Sequence, residues 1–196
     1  MVNLLENPSF ENGDMLPDYW WNYESAGFSG VLELVNEAYS GAKAYRVTNN
    51  TPLAVGAISQ TVIIPDGVTK VKFGVMTKNT IESDSGVGYV AVIMDCYSFS
   101  PEIGFTWLGT VESKHDYDSN SSYHNLSGVA VLPVGTYQVN LSCAVALVAG
   151  VATFDNAYLE EQVDVVDDDL ILILLGLSIF ISVVAFVVYK RSNGKT

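Results

Sequence analysis

Positive charge is scarce in this sequence. Nine Lys and Arg stand against 22 Asp and Glu in 196 residues, a formal net charge of −13. Residues 1–169 hold all 22 acids and only six bases (Lys43, Arg46, Lys70, Lys72, Lys78, Lys114), a net of −16. A chain so acidic, with no basic stripe or Arg-rich loop, repels phosphate backbones, which excludes nucleic acid as a partner. Helical periodicity is also missing: no stretch of residues 1–162 sustains an apolar 3.6-residue repeat over more than two turns.

Catalytic signatures are equally sparse. There is no G-x-S-x-G, P-loop, dinucleotide fingerprint or Cys-x-x-Cys. The two histidines, His115 and His124, lie in a polar stretch (KHDYDSNSSYHN) that reads as a solvated loop, with Asp116 or Asp118 as conceivable metal partners. The carboxylates Glu82, Asp84, Asp95 and Glu102 are scattered, and no pair stands out for glycoside hydrolysis. The expectation is a protein without catalytic activity. Two cysteines occur, Cys96 and Cys143, both in strand-like runs. A domain outside the cytoplasm would tolerate a disulfide between them; the alternative is two small buried thiols.

Against these absences stands one long apolar run. Leu170–Tyr189 (LILILLGLSIFISVVAFVVY) carries no charge and is greasy on every face. Twenty helical residues cross a hydrocarbon core of about 30 Å at about 1.5 Å each. The expected organisation is a domain over residues 1–160, an acidic stalk over 161–169, a transmembrane α-helix over 170–189 and a short basic tail over 190–196. Asp164, Asp167, Asp168 and Asp169 precede the span, and Lys190 and Arg191 follow it. That asymmetry puts the tail on the cytoplasmic or interior side and residues 1–169 outside the cytoplasm, or on the outer face of a membrane-containing virion. The sequence opens Met1-Val2-Asn3 with no basic n-region or apolar h-region. Either a signal was removed ahead of this numbering, or the protein inserts by its tail.

Residues 1–162 alternate short β-rich runs with Gly, Asn, Asp, Ser and Pro. Strands are expected near Asn3–Phe10, Trp21–Val35, Lys43–Thr48, Gly56–Ile64, Lys70–Lys78, Gly88–Tyr97, Phe105–Ser113, His124–Leu132, Thr136–Leu147 and Ala152–Glu160. Tyr137-Gln138-Val139-Asn140-Leu141-Ser142-Cys143 alternates cleanly, as a strand with one buried face must. Gly88–Tyr97 is apolar on both faces as far as Asp95, which predicts a central strand covered on both sides. Pro65-Asp66-Gly67 and Pro133-Val134-Gly135 read as two versions of one turn. Ten short strands at this spacing predict an all-β sandwich or jelly roll.

The opening Asn3-Leu4-Leu5-Glu6-Asn7-Pro8-Ser9-Phe10-Glu11-Asn12-Gly13, followed by Pro17 and Trp20-Trp21, resembles the start of carbohydrate-binding modules of the galactose-binding-like jelly-roll superfamily. Ser40–Val47 resembles the superfamily's small-Gly strand, Ile58–Val62 its Q-x-V/I strand, and Phe154-Asp155-Asn156-Ala157-Tyr158-Leu159 its closing F-D-N strand. The resemblance implies a structural Ca²⁺ held by Glu11 and Asp155 with backbone carbonyls, tying the first and last strands together. It also implies glycan recognition by aromatic rings, for which Trp107, Tyr97, Tyr89, Phe99 and Tyr23 are the candidates. At least one of Trp20 and Trp21 is expected in the core.

Two functions follow. One is a membrane-anchored module that recognises a glycan or a glycosylated partner. The other is a structural envelope or virion protein whose jelly roll packs against neighbouring subunits or a capsid, as a homo-oligomer or larger assembly. The sparse Lys and Arg and the strand surfaces rich in Ser, Thr, Asn and Ala lean towards assembly. Four N-x-S/T sequons, at Asn49, Asn120, Asn125 and Asn140, suit an external surface.

Overall fold

The computed structural model describes residues 2–82 and 87–162. The stalk from residue 163, the Leu170–Tyr189 run, the basic tail and Asp84 lie outside the described residues, and so do the expectations placed on them. Among the described residues no helix is long and apolar enough to cross a membrane.

Ten strands form two five-stranded antiparallel sheets. They are β1 (Trp21–Glu24), β2 (Gly30–Val35), β3 (Ala44–Asn49), β4 (Val55–Ile63), β5 (Lys70–Ile81), β6 (Tyr89–Ser100), β7 (Gly104–Glu112), β8 (Asn120–Val131), β9 (Gln138–Ala146) and β10 (Gly150–Glu161). The front sheet has the order β1-β4-β9-β6-β7 and the back sheet β2-β3-β10-β5-β8. Eight of the ten expected strands are present, with shifted ends, and β10 runs through Glu161.

Two differ for local reasons. Trp21–Val35 is two strands in different sheets, because Gly27 takes φ +84° and Phe28 N–H bonds Ser25 C=O (3.0 Å), turning the chain across the sandwich. Asn3–Phe10 pairs only at a bridge between Asn3 and Glu160. Asn7 and Phe10 have positive φ, and the Asn7 side chain bonds the backbone of Asn12 in both directions, so the segment closes into a turn. Gln60 holds that turn down, its buried amide accepting from Glu6 N–H and donating to Glu6 C=O, each at 2.8 Å.

The core lies between the sheets and is built within residues 2–162. Phe10, Tyr45, Phe73, Phe154, Ile58, Met94, Leu141 and Leu159 are fully buried. Phe10 comes from the N-terminal turn and the others from strands; on β10 a bulge between Asp155 and Tyr158 lets both Phe154 and Leu159 face the core. Trp20 is the tryptophan in the core, packed on Phe10 at 4.9 Å with its indole N–H donating to the carbonyls of Glu6 and Asn7. Trp21 points the other way.

The cysteines do not bridge. Both are free and buried, Cys96 on β6 and Cys143 on β9. Register pairs Cys96 with Val139 and Cys143 with Val92, a stagger of four residues, or roughly 13 Å at about 3.3 Å per residue. A disulfide needs Cα atoms within about 7 Å. Burial raises both thiols, that of Cys96 to about 11, so both stay protonated at neutral pH. Strand β6 departs from expectation too: Val90, Val92 and Met94 fill the core, whereas Ile93, Asp95 and Tyr97 face outward over the front sheet.

Candidate functional site

Register builds the outer face of the front sheet row by row, since directly paired residues share a face. One row runs Tyr23–Ala57–Ala144–Ala91 from β1 to β6. The next runs Trp21–Ser59–Ser142–Ile93, and then Asn140 stands opposite Asp95, with Tyr97 opposite Trp107 beyond. The middle strands carry mostly small side chains here, Ala, Ser and Asn with Val55 and Thr61, while the flanks carry rings. Small side chains between large ones leave a groove of about 360 Å³, lined by Trp21, Tyr23, Ile93, Asp95, Tyr97, Asn140 and Ser142 among others. Three strand spacings of about 4.8 Å separate β1 from β6, and Tyr97 lies four residues further along β6 than Ile93, the residue in the row of Trp21.

The walls are open to solvent: Trp21 is 37% and Tyr23 44% exposed, their rings edge-on at 6.4 Å. Polar groups on the floor are tied in place. Ser59 and Ser142 share a hydroxyl hydrogen bond of 2.7 Å, and Thr110 donates to the Asp95 carboxylate. Burial and the neighbouring Asp95 charge raise the Tyr97 phenol, partly offset by the Asn140 amide, so it remains a neutral donor. Rings beside fixed amide, hydroxyl and carboxylate groups can take the C–H face of a sugar and its hydroxyls at once. Asp95 is the one carboxylate lining the groove among the described residues, where glycoside hydrolysis ordinarily uses two.

The predicted ring residues divide. Tyr23 and Tyr97 stand in the groove. Trp107 sits across from Tyr97 on the edge strand β7, outside the groove lining. Phe99 lies further along at the β6–β7 hairpin, packed on Phe105 (5.0 Å) and Tyr137 (5.4 Å). Tyr89 is at the opposite end, stacked on His115 at 3.9 Å with its hydroxyl on Glu112. Sequence reasoning noted Trp21, Asp95 and Asn140 separately but did not join them, and passed over Ser142. Only long-range pairing brings them together.

The two histidines serve different carboxylates. His115 Nε2 lies 2.6 Å from Glu112, and His124 Nε2 lies 2.9 Å from Asp116, which also accepts from Asn79. Two of the sequons are structurally committed. Asn49 is buried, its amide donating to the carbonyls of Ala54 and Val148, and Asn140 forms part of the groove.

Glu11 and Asp155 each accept backbone N–H groups of the turn Ser40–Lys43. Asp155 is fully buried and accepts from Ser40 N–H (2.9 Å) and Asn156 N–H (2.7 Å). Glu11 Oε1 accepts from Ala42 and Lys43 N–H. Burial raises the Asp155 carboxyl, the backbone donors pull it down, and the Glu11 charge raises it again. Carboxylate oxygens such as these are the donors a hard cation takes. Among the described residues no three His, Cys, Asp or Glu side chains converge, so a cation here would complete its shell with backbone carbonyls.

Solved structures provide the comparison. The chain superposes on the enzymatically active domain of bacteriophage CBA120 tailspike protein 4 with a TM-score of 0.61 and 15% identity, covering 82% of this chain but only 22% of that one. Two carbohydrate-binding modules match over their whole length: TmCBM61 in complex with β-1,4-galactotriose (TM-score 0.52, 20% identity, 83% of this chain) and family 16 carbohydrate-binding module 2 (TM-score 0.53, 20% identity, 81% of this chain). The fold is that of the jelly-roll carbohydrate-binding modules. No protein-family profile and no curated protein sequence matches the chain.

Proposed function

We propose that this protein is a membrane-anchored, non-enzymatic glycan-recognition module, with its jelly roll displayed outside the cytoplasm or on a virion surface. The observation that carries this reading is the groove of the front sheet, rimmed by Trp21 and Tyr23 on β1 and Tyr97 on β6, with a floor of mostly small and polar side chains. Sequence composition leans towards an assembly surface, but such a surface is broad and flat. A grooved face with polar groups between rings favours a ligand instead. The carbohydrate-binding modules of like fold add support, and the uncharged Leu170–Tyr189 run supports the anchor.

Trp21 and Tyr97 are the stacking groups in this reading, with Asp95, Asn140 and Ser142 bonding hydroxyls. A structural Ca²⁺ at Glu11 and Asp155 is part of the same proposal, pinning the N-terminal turn to β10 away from the groove. The test is glycan-array binding by residues 1–162, with and without Ca²⁺, alongside mass by light scattering. Saturable binding to one sugar class, lost in Trp21→Ala and Tyr97→Ala, is expected. No binding together with concentration-dependent oligomers would favour assembly.

A further inference from the structure

One end of the sandwich is unlike the other. At it lie the turns β4–β5, β6–β7 and β8–β9 and the last residues of β10, because register pairs Tyr97 with Gln138, Lys70 with Val131 and Glu161 with Val71. Two of the three turns carry an exposed aliphatic residue at the crest: Ile103 is 78% and Val134 100% exposed. Beside them lie Phe99, Phe105 and Tyr137, exposed and mutually packed, with ring centroids 5.0 to 6.3 Å apart. The two phenylalanines have no polar atom to offer a sugar, so this patch is chemically distinct from the groove.

The described chain also ends here. Gln162 bonds Lys70 C=O, and seven residues (163–169) separate it from the uncharged run at Leu170. Fully extended, seven residues reach about 25 Å. We propose that this aromatic and aliphatic end is a lipid-docking surface, seating its rings and turn crests in the headgroup layer of the bilayer that holds the anchor. The inference rests on the anchored reading given above. Aromatic and aliphatic groups are the side chains that the interface favours. The neighbouring turns also carry Asp66 and Glu102, so docking is apolar in origin, and anionic lipid weakens it.

The probe is residues 1–162, which hold the whole core, mixed with vesicles of brominated or plain phosphatidylcholine. Partitioning with bromine quenching of tryptophan emission is expected, reduced on adding phosphatidylserine. Ile103→Asp with Val134→Asp, both fully surface changes, is expected to lower the partition coefficient on the order of tenfold at unchanged melting temperature. No partitioning of the parent, or equal partitioning of the variant, overturns the proposal. So does a concentration-dependent dimer abolished by the same two substitutions, which would assign the patch to a second copy. Alkaline carbonate extraction of the full chain from membranes reads the anchor separately. Retention without vesicle binding by 1–162 defeats docking alone, and release with vesicle binding defeats the anchor alone.

Discussion

The two sheets share one architecture yet present opposite outer faces. On the front sheet, small residues lie between aromatic rings. On the back sheet, a cleft of about 500 Å³ is lined by Glu33, Glu37, Arg46, Lys78 and several hydroxyl side chains. That larger cleft is internally neutralised: Glu37 takes the Arg46 guanidinium at 2.6 Å and also the Lys78 ammonium, and its carboxyl is held below the usual range chiefly by Lys78. Tyr123 closes the arrangement by donating to Glu37 C=O while its ring lies under Lys78. Cavity size therefore does not locate the ligand. What distinguishes the front face is its chemistry: exposed rings beside hydroxyl, amide and carboxylate groups, where the back cleft carries ion pairs.

That contrast can be broken most severely by filling the groove. Ser142→Trp, on the outer side of β9, is expected to lower glycan affinity by more than about 100-fold, with a stability loss limited to about 1–3 kcal/mol for the Ser59 hydroxyl it leaves unpaired. Removing one wall is milder. Trp21→Ala or Tyr97→Ala is expected to weaken binding by roughly 10- to 100-fold, read by titration calorimetry. The matching change on the back sheet, Arg46→Ala, is expected to leave affinity within about twofold and stability within about 1 kcal/mol, as for an exposed ion pair. A back-face change that costs as much as Tyr97→Ala would place the ligand on the wrong sheet.

The carboxylate pair sharpens the picture of the scaffold behind both faces. Because Asp155 satisfies two backbone N–H groups, Asp155→Ala is expected to cost about 2–4 kcal/mol in chelator, and more in Ca²⁺, where the metal's stabilisation of the parent is lost as well. Glu11→Gln separates the metal from the hydrogen bonds, since its amide oxygen still accepts from Ala42 and Lys43. It is expected to abolish the rise in melting temperature that Ca²⁺ gives the parent. Acidity adds a check. The Asp155 carboxyl is raised on folding, so in chelator its contribution to stability is full below the usual carboxylate range and falls as pH rises through its elevated value. Melting temperature from about pH 4 to about pH 7 should therefore fall in chelator and flatten in Ca²⁺.

Much of the scaffold was legible in local pattern. Alternation located most strands, while Glu11 and Asp155, which bond the backbone of one turn, stand out only through the family resemblance of their segments. Trp20 and Trp21 divide between core and surface because neighbours on a strand point to opposite faces. The rest depended on register, which no local pattern reveals. Asp95 and Asn140 lie 45 residues apart and become neighbours only through β6–β9 pairing. The same register holds Cys96 and Cys143 apart although their strands are adjacent. Trp107 and Phe99 carry the right chemistry for stacking, yet the hairpin sets them outside the groove.

The most direct test of the central claim is calorimetric titration of residues 1–162 with the best ligand from a glycan array, comparing the parent with Trp21→Ala and Tyr97→Ala. Saturable binding in the parent, weakened at least tenfold in each variant at unchanged melting temperature, is the predicted result. Binding that survives both substitutions would contradict the groove as the glycan site.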